Sequence, residues 1–366
     1  MDWDALIRDE LDPMVPYAPG LRASEVRERI GGKTVHKLSS NENPFGPVPE
    51  AMDAMRAILP HVNRYPDGSA RALRRRLSER LGVEERFLVV GNGSNEILRV
   101  IAQAVLRPGD ECVFAWPSFV VYPMVAQLMG AVGVKVPLAA GDVHDLDAML
   151  AAITEKTRIV FLCNPNNPTG TIYGRAAFER FLDAVPDHVL VVADEAYFEY
   201  VTSADYPDSL GYFDGDRPLV VLRTFSKIYS LAALRVGYGV MPEALVEAVN
   251  KVREPFNVNS VAQIAAYHSL DAVDEIEARV RINAQQRGTL YAAFERLGIR
   301  FEPSQANFVW VHTDRPAELF ESLLGSGVIV RSFGAVPALR VGIGTQEDTE
   351  ATIRAFETAH DALDGL

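Results

Sequence analysis

From residue 87 to residue 240 the chain alternates apolar, strand-like runs with turns and stretches of helical spacing, and the last two runs flank a loop. The runs fall at 87–91, 111–116, 132–138, 158–163, 189–193, 219–222 and 235–240. Most of them lack the in-and-out alternation of a half-exposed strand, so they predict strands covered on both faces. Seven such strands alternating with helices predict an α/β unit built on a mostly parallel seven-stranded sheet. Ligands of such sheets sit beyond the carboxyl ends of the strands. The polar clusters of this region all fall at those ends: 91–95 (GNGSN), Phe119, 164–170 (NPNNPTG), 194–197 (DEAY) and 224–227 (TFSK).

The flanks read differently. Residues 1–48 are rich in turn chemistry, with PYAPG at 16–20 and SSNENPFGP at 39–47. A helix follows from 49 to about 58, then NRYPDGS at 63–69, with Ser69 expected to cap a basic helix ending near Gly82. Beyond Asn259 one long helical pattern runs to about 297, followed by strand-like runs at 307–313, 328–333 and 338–344 and a final helix. This end predicts a smaller α+β domain. The expected division is 1–48 joining the small domain, 49–258 as the large domain and 259–366 as the small one.

A formal charge of −13 argues against a nucleic-acid partner. No apolar run approaches the roughly 18 residues of a membrane helix, and the acidic start is unlike a signal peptide. Cys112 and Cys163 lie in apolar runs and read as buried thiols of a reducing compartment, so the cytoplasm is expected. The seven histidines show no ligand spacing, and no metal is expected.

Lys227 stands between two apolar runs, flanked by Thr224, Ser226 and Ser230, with Arg235 eight residues on. A turn lysine on the surface is the plain alternative. Burying an ammonium is costly, yet hydroxyls and a guanidinium beside an amine suit a lysine held as a Schiff base with a phosphorylated aldehyde cofactor. Asp194 ends a buried run; it could cap a helix, or pair with a protonated pyridine nitrogen. Tyr197 and Asn167 could then reach the hydroxyl of the same ring. Gly91, Gly93 and Ser94 mark a strand turning into a helix, whose free amides suit a phosphate. Phe119 fits a core ring and a ring stacked on a flat cofactor equally well.

Together NPNNPTG, ADEAY and TFSK with Arg235 resemble the fold-type-I pyridoxal-phosphate aminotransferases, which share the aspartate aminotransferase-like fold. PYAPG, KLSSNENPFGP, NRYPDG, GNGSNEI, SQANFVWV and VIVRSFG…LRVGIGT resemble the histidinol-phosphate aminotransferase subfamily, with aromatic amino acid aminotransferases sharing several of these pieces. The resemblance implies pyridoxal 5′-phosphate as cofactor, an amino donor and a 2-oxo acid as substrates, and a homodimer with shared sites. A lyase, a decarboxylase or an inactive binding protein on the same fold stays open. It implies Lys227 as the Schiff-base lysine, Asp194 at the ring nitrogen, Tyr197 and Asn167 at the ring hydroxyl, and Phe119 on the ring face. Gly93, Ser94, Asn95, Thr224, Ser226 and Arg235 would surround the phosphate, with Tyr65 reaching that of the partner subunit. Arg340 would hold a substrate carboxylate and Arg331 a substrate phosphate, with Tyr17 and Asn43 bordering the pocket. It also implies a cis bond at Asn167-Pro168. One departure stands out: Ser230 and Ala233 occupy positions where glycine is common in the family.

Overall fold

The computed structural model describes residues 6–16, 20–334 and 336–363. Its centre is a seven-stranded sheet: β1 (Leu88–Gly91), β2 (Glu111–Trp116), β3 (Val132–Pro137), β4 (Thr157–Cys163), β5 (Leu190–Asp194), β6 (Leu219–Thr224) and β7 (Gly237–Val240). The strand order is β1-β7-β6-β5-β4-β2-β3. All neighbours are parallel except β7, which runs antiparallel to both β1 and β6. Because β7 is reversed, the residues just before it lie at the carboxyl edge of the others. Arg235 therefore arrives at the same edge as Asp194 and Thr224.

The two faces of the sheet sort cleanly by residue parity, as a pleated strand requires. Val160 and Leu162 of β4 pack into one core with Val113, Val191, Val221 and the helix Arg175–Ala184. Ile159, Phe161 and Cys163 point into the other, with Phe114, Val192, Leu222 and the helix Ser94–Val105. Burying each of these side chains contributes roughly 1.5–3 kcal/mol, a sum large enough to carry buried polar groups at the sheet's edge.

The C-terminal unit is a four-stranded antiparallel sheet ordered 331–332, 338–342, 308–312, 301–302. Its own core joins Val309, Val311, Leu339 and Val341 to Leu290, Phe294 and Phe356. Residues His36–Lys37 pair in parallel with Val328–Ile329, which ties the N-terminal segment to this unit.

Several expectations are corrected. Asp67, not Ser69, organises the start of helix Arg71–Leu81: its carboxylate accepts from the Ser69 and Arg71 amides and the Ser69 hydroxyl. The long pattern after Asn259 is two helices, Ser260–Ser269 and Val273–Arg296. The first buries Ala262, Ala265 and Ala266 in the core of the large sheet, so a division at 258/259 separates it from its packing partners. The last strand of the large sheet begins at Gly237, because Arg235 is left-handed at φ 59. The cis bonds of the described residues are Trp116-Pro117 and Asn164-Pro165, and not Asn167-Pro168.

Two glycines bring the helix start against the sheet. Gly93, at φ 78, holds a backbone conformation that residues with a side chain rarely adopt, and a Cβ there would displace the Arg235 guanidinium, 2.9 Å away. A Cβ on Gly237 would lie 2.6 Å from the Ser94 nitrogen and 2.9 Å from the Gly93 carbonyl carbon. Overpacking of this kind typically costs about 1–3 kcal/mol. Gly237→Ala should lower stability by that amount in urea unfolding; an unchanged midpoint would show that the helix start is free to move away.

Candidate active site

At the carboxyl edge of the large sheet a cavity of about 300 Å³ opens against the C-terminal unit. Gly93, Ser94, Asn95, Phe119, Asn167, Asp194, Tyr197, Thr224, Ser226, Lys227, Arg235 and Arg340 line it. Separate loops after β1, β2, β4, β5 and β6 thus converge, as expected for an open parallel sheet.

Lys227 follows β6 by three residues. Its Nζ lies 3.4 Å from the Ser40 carbonyl and 5.6 Å from the centre of the Tyr197 ring. Burial lowers its pKa to about 8, helped by the Arg340 and Arg235 guanidiniums and opposed by Glu42 and Asp194. At pH 7 roughly a tenth of the amine is then unprotonated, a far larger share than for an exposed lysine, so it can serve as a nucleophile or base close to neutral pH.

Asp194 is 2% exposed. Its Oδ2 accepts from the Tyr122 hydroxyl at 2.9 Å, while Oδ1 has no partner of normal hydrogen-bond geometry. Burial raises this carboxyl to about 6 against the lowering effect of Tyr122, the Ala196 amide and Lys227. A buried acceptor left open in this way suits a cationic N–H. Phe119, half-buried, meets Tyr122 edge-on at 5.7 Å and borders the same space.

The opposite requirement, for an anion, is met where β1 turns into helix Ser94–Val105. No side chain caps this helix, so its first amides keep their hydrogen-bonding capacity. Ser226, Thr224 and Arg235 face the same end of the cavity. Thr224 Oγ1 donates to Ser226 Oγ at 3.0 Å and accepts from the Ser226 amide at 3.1 Å, which fixes the hydroxyls. Arg235 donates to the Ala232 carbonyl at 3.0 Å.

Arg340, 7% exposed, donates to Asn167 Oδ1 at 2.5 Å and to the Ser39 carbonyl at 2.7 Å. With its oxygen so engaged, Asn167 offers its NH₂ to the cavity. Arg331 is in register with Arg340 across the antiparallel pair, which places the two guanidinium-bearing side chains on one face. Cys163 forms part of the wall, and burial pushes its thiol up to about 12, so it is no nucleophile.

Other expected site residues lie apart. Asn43 does not line this cavity; its amide donates to the Ile228 carbonyl at 3.1 Å and the Tyr200 hydroxyl at 3.3 Å. Tyr65 is 82% exposed, stacks on Phe256 at 4.7 Å and borders a different cavity. Tyr17 lies outside the described residues. Two participants went unread in the sequence. Asn41 donates to the Tyr197 hydroxyl at 2.9 Å, and its one sequence signal was an asparagine in a turn, here at φ 54. Tyr122, beneath Asp194, gave no signal beyond an aromatic at a helix start. Away from the site, His312 Nε2 lies 3.0 Å from Glu302 and 3.4 Å from Asp142, a grouping that sequence spacing did not reveal.

The cavity asks for a flat group with an anionic end, a basic ring nitrogen and a carbon open to an amine. Comparison with known proteins points the same way. Residues 33–356 match the family model for aminotransferases of class I and II. The chain is 47% identical to the histidinol-phosphate aminotransferase of Moorella thermoacetica, covering 95% of this chain and 92% of that one. It is 44% identical to that of Geobacillus thermodenitrificans, covering 98% of each. In fold it is similar to the Sinorhizobium meliloti histidinol-phosphate aminotransferase solved with pyridoxal-5′-phosphate, with a TM-score of 0.88, 24% identity and coverage of 98% and 99%. A Thermus thermophilus aspartate aminotransferase superposes with a TM-score of 0.84 at 23% identity, covering 96% of this chain and 99% of its own.

A carboxyl raised from 3.8 to about 6 by burial costs nothing below pH 3.8, where both folded and unfolded forms are protonated. The cost builds between those values and is complete above pH 6, on the order of 2–3 kcal/mol. Asp194→Asn should therefore raise the melting temperature of the ligand-free protein at pH 7.5 and do little at pH 4. Equal shifts at both pH values would remove the carboxylate's ionisation as the cause.

Proposed function

The chain belongs to the histidinol-phosphate aminotransferase family within the class I and II aminotransferases, and from that premise we propose the exchange it performs. The amino group of L-histidinol phosphate passes to 2-oxoglutarate, giving imidazole acetol phosphate and L-glutamate, a reaction of histidine biosynthesis. The cofactor is pyridoxal 5′-phosphate, and the residues present fit it: an anion cup, an open buried carboxylate oxygen and a lysine of lowered pKa. When bound, it supplies an aldehyde carbon for amines and a ring that accepts the electron pair left by a lost proton.

The chain's own residues do the rest. Asp194, ionised, holds the ring nitrogen in its protonated form. Tyr197 and Asn167 supply donors at the ring hydroxyl, with Tyr197 itself held by Asn41. The amides of Ser94 and Asn95 with Ser226 and Arg235 grip the phosphate. Lys227 would anchor the cofactor, and its Nζ, when free, would take the proton from the substrate carbon and hold it for return. A base of pKa about 8 can do both near neutral pH.

The observation that supports the substrate assignment is the register of Arg331, which does not itself line the lysine cavity, with Arg340, which does. Two guanidiniums on one face suit substrates that bring anions at different distances from the reacting carbon. Arg340 holds the carboxylate next to the reacting carbon in glutamate, and Arg331 the phosphate of histidinol phosphate. A second copy completes the site in this reading: the exposed Tyr65 reaches the partner's phosphate cup across a two-fold dimer. The enzyme works in the cytoplasm; among the described residues no helix is long and apolar enough to cross a membrane.

Steady-state kinetics with histidinol phosphate, phenylalanine and tyrosine, using 2-oxoglutarate as acceptor, test the assignment. A charged hydrogen bond is worth roughly 1.5–3 kcal/mol, so Arg331→Leu should cut kcat/KM for histidinol phosphate at least about tenfold. Phenylalanine, without a distal anion, should lose far less. Equal losses would make Arg331 structural, and a wild-type preference for phenylalanine would move the assignment to aromatic amino acids.

A further inference from the structure

The turn that follows Lys227 is built unusually. The Ser230 amide donates back to the Lys227 carbonyl at 3.0 Å, closing a four-residue turn, and Ser230 sits at φ 60. Left-handed backbone is strained for a residue with a Cβ. Glycine would remove that strain, whereas serine keeps it and adds a hydroxyl that needs a partner.

The hydroxyl has one. Arg279, 4% exposed on helix Val273–Arg296, donates from Nη1 to Ser230 Oγ at 2.7 Å and to the Ile228 carbonyl at 3.2 Å. From Nη2 it donates to the Gly46 carbonyl at 2.7 Å, and Nε meets Glu275 at 3.2 Å. One side chain thus binds the lysine turn on both sides of Tyr229 and the N-terminal segment as well. The Ile228 carbonyl also accepts from Asn43. Ile228 itself is fully buried against Tyr197, Tyr200 and Phe308, with Ile276 and Val280 of the same long helix beside it.

We propose that Ser230 and Arg279 are positioning residues for Lys227: the Ser230 hydroxyl and the forked guanidinium clamp the turn that aims the lysine into the cavity. The clamp rests on the reading of Lys227 as the cofactor-bearing lysine. Its logic is geometric. A charge-assisted bond offsets the left-handed strain, and the planar fork spans two groups of the turn in a way that an ammonium does not. Arg279 belongs to the helix that leads into the C-terminal unit, so the lysine's aim is tied to where that helix sits.

Replacement at Ser230 separates the bond from the strain. Asparagine tolerates left-handed backbone and offers an acceptor oxygen. Glycine tolerates it and offers none, and alanine does neither. The clamp orders the holoenzymes serine and asparagine together, above glycine and alanine together. Strain alone would order glycine with asparagine, above alanine. Two readouts apply: kcat with saturating substrates, and the pH midpoint of the visible absorbance change of the lysine-bound chromophore. Ser230→Gly and Ser230→Ala should each lower kcat roughly three- to tenfold. Each should also raise the midpoint by on the order of half a pH unit, as a loosened turn admits water to a buried cation. Ser230→Asn should stay near wild type in both. A glycine variant matching wild type overturns the proposal, as do variants that melt earlier with kcat and midpoint unchanged. Borohydride reduction of the wild-type holoenzyme provides the separate control. Failure to fix the chromophore on Lys227 overturns the reading beneath the clamp, and the clamp with it.

Discussion

Burial acts in opposite senses on two groups that share one cavity, and much of the molecule is arranged around that fact. It raises the Asp194 carboxyl to about 6 and lowers the Lys227 amine to about 8. Neither group is comfortable in its ionised form at the end of apolar strands. Both are made useful by the same discomfort. A carboxylate with an open oxygen gains most from a cation that arrives beside it, and a desolvated lysine is a nucleophile and base at pH values where an exposed one is not. The two cores that sandwich the sheet supply the stability that such placements cost, and one of them also contributes wall residues, Cys163 and Phe119.

How the groups meet follows from topology. Asp194 and Thr224 end parallel neighbours β5 and β6, and Arg235 reaches the same edge because β7 is reversed. The close approach of helix Ser94–Val105 depends on Gly237, where a Cβ would collide with the backbone of Gly93 and Ser94, and on the positive φ of Gly93. The anion cup is thus a consequence of strand direction and of missing Cβ atoms as much as of the polar residues that face it.

This explains what could be read before the structure was known. Continuous apolar runs revealed the seven strands, and the polar clusters at their ends named most of the cavity's lining, since strand ends are where a parallel sheet places its ligands. What stayed hidden depends on contacts between distant segments. Nothing local marks Tyr122 as the hydroxyl under Asp194, or Arg279 as the clamp on the lysine turn 49 residues away. The break at 270–272 was missed because the helical spacing continues through it, while packing divides the two helices between different cores. Serine is a good N-cap residue, which makes Ser69 the local candidate, yet the carboxylate of Asp67 two residues earlier accepts from the Ser69 and Arg71 amides with a charged acceptor.

The segment from Leu38 to Asn43 shows why the two units must be considered together. Its carbonyls accept from both: the Gly342 amide and Asn307 from the C-terminal unit, and Lys227 from the large one. Arg340 donates to the Ser39 carbonyl of this segment and to Asn167 of the large unit, and the Asn41 side chain holds Tyr197. A shift of the C-terminal sheet would therefore be felt at once by Arg340, by Asn167 and Tyr197, and by Lys227. Arg331 travels with Arg340 because the register of two short strands fixes one opposite the other. In the reaction proposed above, the neighbouring carbonyls of Ser39 and Ser40 couple Arg340 to Lys227, so adjusting that arginine to a different anion also moves the groups assigned to the chemistry.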